Sequence, residues 1–129
     1  MNTKQEAKKE LQFYKARKVS AVNLESRMRA LDRQLENADE SSREEISDRR
    51  RRFGAQLECV NLWLGAVENA LGTLSREEKL TLERFFIDRQ PGWLMDLCEE
   101  LFLEQAAVYK LKDRALRKFA LAMYGGEEI

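Results

Sequence analysis

From Leu11 to Leu71 apolar residues return at helical spacing, and the only polar break in this half is Asn37-Ala38-Asp39-Glu40-Ser41-Ser42. Tyr14, Ala21, Met28 and Leu35 keep heptad register with Leu24 and Leu31 between them, which makes one seam on a helix from about Thr3 to Asn37. Arg17 takes the seam position before Leu24, so the first turns are expected to fray. Ile46, Phe53, Leu57, Val60, Leu64, Val67 and Leu71 form a second stripe, with Trp63 on its edge, on a helix from about Arg43 to Leu71. Ser41 or Ser42 is placed to cap it. Neither helix can hide its seam alone, so the two fold back as a long antiparallel helical hairpin. Phe53 and Trp63 widen the apolar face beyond what one partner helix covers, and the hairpin is expected to continue into a homo-oligomer.

Gly72-Thr73 closes that helix, and Ser75-Arg76-Glu77-Glu78 is a Ser-x-x-Glu capping box that starts a third. Leu80, Leu82, Phe85, Phe86 and Ile87 form its packing face, and Asp88 to Gly92, holding the only proline, is a loop. Trp93 to Leu101 and about Gln105 to Tyr124 read as two more helices with a tight turn between them, stopped by Gly125-Gly126. The fourth carries Leu97, Cys98 and Leu101 inward. At about 100° per residue the fifth turns Val108, Leu111, Ala115, Phe119 and Ala122 to one side and Ala106, Lys110, Asp113, Arg114 and Arg117 to the other. The expected fold is therefore all-α, with residues 1–72 as the hairpin and residues 73–126 as a three-helix domain.

Composition closes off several function classes. Histidine is absent, and no nucleophile–base pair or phosphate-binding loop is apparent, so no enzymatic activity is expected. Glu77, Glu78, Glu99 and Glu100 read as solvated helix faces. The two cysteines, Cys59 and Cys98, sit among apolar neighbours and read as buried reduced thiols, too few and too far apart for a metal site. No cofactor is implied. No apolar leader opens the chain and no run is long enough to cross a membrane, so a cytoplasmic protein is expected.

The formal net charge is zero, but its distribution is uneven. Between Lys110 and Lys118 five basic residues face Asp113 alone. Arg49 to Arg52 form a second cluster, read as a solvated face or as partners of Glu36, Asp39 and Glu40. A helix packed on one side and basic on the other suits the major groove of DNA when a partner helix fixes its entry angle. Aromatic residues interleaved with cations, as stacking on unpaired bases requires, are not evident. Trp63 and Trp93 read as packing residues. Lys112 falls toward the packed side and is expected to snorkel.

The run Leu97-Cys98-Glu99-Glu100-Leu101, Leu103 after the turn, Val108-Tyr109-Lys110 and Arg114 to Phe119 resembles the helix-turn-helix of sigma-factor region 4. It is more closely similar to the sigma-4-like domain of phage-encoded transcriptional regulators of the ArpU/RinA type. The resemblance covers about the last fifty residues. It implies sequence-specific duplex DNA binding, transcriptional regulation and contact with RNA polymerase. The expected DNA contacts are Gln105, Tyr109, Lys110, Arg114, Arg117 and Lys118, with Arg117 and Lys118 on the backbone. The alternative is a non-enzymatic scaffold or protein-docking module of a phage-like system. Glu104 at the helix cap and Ala106 and Ala107 in place of short polar residues favour that alternative. Phe102 stands where such turns often carry Gly, and a left-handed bulky residue costs about 1 to 2 kcal/mol. The turn is thus expected either to differ in geometry or to bury Phe102.

Overall fold

The computed structural model describes residues 2–125, and among them every regular element is helical. Five α-helices follow in order: α1 (Thr3–Asn37), α2 (Glu40–Leu71), α3 (Arg76–Leu82), α4 (Trp93–Leu101) and α5 (Gln105–Tyr124). A π-helical segment, Glu83–Ile87, extends α3. No described helix is long and apolar enough to cross a membrane. The predicted bounds of α1, α4 and α5 are met, while Gly126 and the tail Glu127-Glu128-Ile129 lie outside the described residues.

The chain divides into two compact units inside the long helices, at residues 15/16 and 64/65, rather than at the loop after α2. The unit of residues 16–64 holds the later part of α1, the loop after it and the earlier part of α2. Arg17 lies over the Trp63 ring at 4.1 Å and Arg27 over Phe53 at 5.6 Å, while Arg50 pairs with Asp32. Partner numbers fall on α2 as they rise on α1, so these segments run antiparallel. Ala21, Leu31 and Leu64 are buried between them. The arginines also cover part of the two aromatic residues that were expected to widen an open face. Arg50 finds Asp32, not Glu36, Asp39 or Glu40, because the antiparallel register sets residue 32 opposite residue 50. Asp39 instead accepts from Ser41 Oγ at 2.8 Å and Ser42 N–H at 2.9 Å. It is therefore Asp39, and neither serine, that caps α2, and the helix starts at Glu40.

Residues 2–15 and 65–125 belong to the other unit. The start of α1, where fraying was expected, is capped and packed. Asn2 Oδ1 accepts from the N–H groups of Lys4 at 3.0 Å and Gln5 at 3.3 Å, and Ala7 and Leu11 are fully buried. Farther on, the Tyr14 hydroxyl donates to Glu68 at 2.7 Å. Partial burial and that carboxylate push its pKa up to about 12.

Phe85, Leu97 and Val108 form the apolar centre joining the π-helical segment to α4 and α5, with Leu80, Leu94 and Leu101 packed against it. The π geometry closes with Asp88 N–H donating five residues back to Glu83 at 2.8 Å. Phe85 meets Trp93 edge-on at 4.6 Å and Tyr109 at 5.3 Å between ring centres. Along α5, Val108, Leu111, Ala115 and Phe119 are buried as the period requires. Ala122 is exposed, contrary to expectation, and Leu116 and Ala120 are buried in its place. Leu116 shares a hollow with residues at the start of α1, so α5 is covered on a second flank that its own periodicity did not reveal.

Candidate functional site

The connection from α4 to α5 is three residues long, Phe102 to Glu104. Its form follows from the end of α4. Leu103 N–H donates to the Cys98 carbonyl at 3.1 Å and Phe102 N–H to Glu99 at 3.3 Å, a Schellman pair that satisfies two terminal carbonyls. That motif requires a left-handed residue after the last helical turn, and Phe102 supplies it at φ 57°, ψ 41°. The residue is 93% exposed. Thus the turn keeps the geometry that glycine usually serves, and burial does not offset the strain. Met95 is also open at 73%, and Asp96, Glu99, Glu100 and Glu104 are exposed beside this pair in the sequence.

At the start of α5 the Glu104 side chain makes no capping hydrogen bond. Gln105 and Lys110 are exposed, and Lys110 has no carboxylate partner among the described residues. Tyr109 is 41% exposed, with its ring edge held against Phe85. Arg117 is exposed on the outer side.

Arg114 and Lys118 are different. Both reach toward Glu78 on α3, Lys118 at 3.2 Å and Arg114 at 3.8 Å. The Glu78 residue is 3% exposed. Glu78 therefore does not belong to a solvated face, as its sequence neighbours suggested. It completes the expected capping box, accepting from Ser75 N–H at 2.9 Å while Ser75 Oγ accepts from Glu78 N–H at 3.2 Å. The Ser75 amide and the Lys118 ammonium hold its carboxyl below the usual carboxylate range, against the opposing effect of burial. The carboxylate so buried pairs with Lys118 and partly answers the charge of Arg114, while their side chains stay 55% and 66% exposed. Spacing along α5 could not show this, because the partner lies 40 residues away in the chain.

Lys112 snorkels as expected. Its Nζ lies 5.7 Å from the centres of both the Phe85 and Tyr109 rings and 2.9 Å from Asp113. Asp113 accepts a second cation, Lys4 of α1, at 3.8 Å, and the Lys112 contact is the main reason its pKa is lowered.

Cys59 is exposed and Cys98 half-buried, both as free thiols. Cys59 is not the buried thiol expected, because its position falls outside the Val60 and Leu64 stripe, of which Val60 is half-buried and Leu64 buried. Glu100 is engaged as well, by Arg84 at 3.5 Å.

Sequence reading counts Lys8 only in a basic cluster of α1 and gives Arg89 no role. Lys8 lies 5.8 Å from the Phe86 ring centre and Arg89 lies 4.6 Å from that of Trp93, in the same unit as Tyr109 and Lys112. Cations and aromatic rings are thus interleaved after all, but only when three separate parts of the chain come together. No protein-family model, curated protein or solved structure matches this chain.

Proposed function

We propose that the chain is a small, non-enzymatic transcriptional regulator that binds duplex DNA through the outer flank of α5. In this reading residues 73–126 act as a sigma-4-like helix-turn-helix of the ArpU/RinA type, α4 and α5 being its two helices. The helical hairpin formed by α1 and α2 would pair copies of the chain in the cytoplasm and set two α5 helices on successive half-sites. RNA polymerase is the further partner that the resemblance implies. The observation that carries the reading is that α5 buries one side on Phe85 and Leu97 while Gln105, Lys110, Arg114 and Arg117 remain exposed on the other. Lys118, paired with the buried Glu78, keeps its side chain 55% exposed beside this flank. Tyr109 is half-open at the border and completes the contact set.

The test is selection of bound fragments from a random duplex pool, followed by titration of the recovered site. Lys110→Ala with Arg114→Ala should weaken binding by about 1 to 3 kcal/mol for each contact made to a base. Wild-type affinity in that double variant at matched salt would show that α5 does not read DNA through this flank.

A specific feature favours a second reading, a protein-docking module. Exposed Phe102 and Met95 accompany four acidic residues, which repel phosphate. A salt series on random duplex DNA separates the two. Binding through several phosphates falls steeply as salt rises, whereas a docking module shows no binding at any salt.

A further inference from the structure

The start of α1, the π-helical segment and the middle of α5 enclose a hollow of about 420 Å³, within the size range of small-ligand sites. Its wall carries Lys4, Lys8, Arg89 and Lys112 against one carboxylate, Asp113, so four positive charges less one negative leave an excess of three. Asp113 is already held by Lys112 and Lys4. Lys8 and Arg89 have no carboxylate partner among the described residues. Each rests instead on an aromatic face, Lys8 on Phe86 and Arg89 on Trp93. Cations gathered around a concave surface repel one another, and an anion entering between them would relieve that cost.

The same wall is aromatic. Phe86 and Tyr109 line the hollow and keep part of their rings accessible, while Phe85 backs Tyr109 edge-on. The π turn places the consecutive Phe85 and Phe86 so that both border the hollow. A ligand fitted to this surface combines a compact polyanion with a flat ring, because its cations and rings are interleaved. A nucleic-acid strand would need a track of successive stacking platforms, whereas this is a single bounded recess.

We propose that the hollow binds a nucleoside phosphate, with Lys8 and Arg89 turning from the Phe86 and Trp93 faces to the phosphate and Phe86 and Tyr109 stacking on the base. The inference does not rest on DNA binding, and its test contains no duplex.

The full chain is titrated calorimetrically at low salt with ADP, with inorganic phosphate, with adenosine and with a short single-stranded oligonucleotide. ADP should saturate the protein and bind at least about tenfold tighter than phosphate or adenosine alone, because only ADP meets both halves of the site. Lys8→Ala with Arg89→Ala should weaken ADP by about tenfold or more, and Lys110→Ala, outside the hollow, should leave it unchanged. Tyr109→Leu, which keeps an apolar contact with Phe85, should bring ADP toward the affinity of phosphate alone. Thermal melts establish that each variant is folded. Absence of saturable ADP binding, equal affinity for ADP and phosphate, equal loss in Lys110→Ala, or binding of the oligonucleotide without ADP would each overturn the assignment.

Discussion

Phe102→Gly should stabilise this protein, which is unusual for replacing an aromatic residue with glycine. At φ 57° the Phe102 Cβ crowds its own backbone, at a cost of about 1 to 2 kcal/mol that glycine does not incur. Glycine gives back about 0.5 to 1 kcal/mol through its greater freedom in the unfolded chain. With Phe102 93% exposed, removal of its side chain forfeits almost no buried area. The Schellman hydrogen bonds from residues 102 and 103 are made by the backbone and remain. The net gain is about 0 to 1.5 kcal/mol, or a rise of up to about 6 °C in Tm for a chain of this size. Urea unfolding followed by far-UV circular dichroism measures it, with an unchanged m-value required for the comparison. Phe102→Ala is the control, since it removes the ring but keeps the left-handed Cβ and should stay within about 0.5 kcal/mol of wild type. If Phe102→Gly unfolds more readily than wild type, the turn is not strained as the φ angle implies.

Two further outcomes test the scaffold beneath α5. Leu97 is fully buried between Phe85 and Val108, so Leu97→Ala should cost about 2 to 5 kcal/mol in denaturant unfolding, and a loss below about 1 would mean α4 is not anchored there. The Glu78 carboxyl has its pKa lowered by folding, so its stabilising effect is present above the ordinary carboxylate range and is lost as pH falls through the folded value. Glu78→Gln should therefore be less stable than wild type by about 1 kcal/mol or more at pH 7 and should converge with it in acid, as followed by thermal melts across pH. A difference independent of pH would show that the charge on Glu78 plays no part.

Helix positions were legible because they depend on neighbours three and four residues away. The seam of α1, the break at Asn37 to Ser42, the Ser75 box and the single proline placed the elements, and only the start of α2 and the π turn were missed. The outer flank of α5 was legible for the same reason, as was the snorkelling of Lys112 from the packed side. Which faces meet is decided by distant partners. Nothing near Glu78 announces Lys118, and nothing near Lys8 announces Phe86 or Tyr109, because separations of 40 residues and more leave no periodic trace. The first turns of α1 looked disposable by the same local logic, yet Ala7 and Leu11 are sealed in the unit that contains α5. Sequence alone thus determined an all-helical chain with a basic final helix. The tertiary structure decided which of its charges are spent internally and which stay open, because charge pairing and burial are set by long-range packing and not by spacing along one helix.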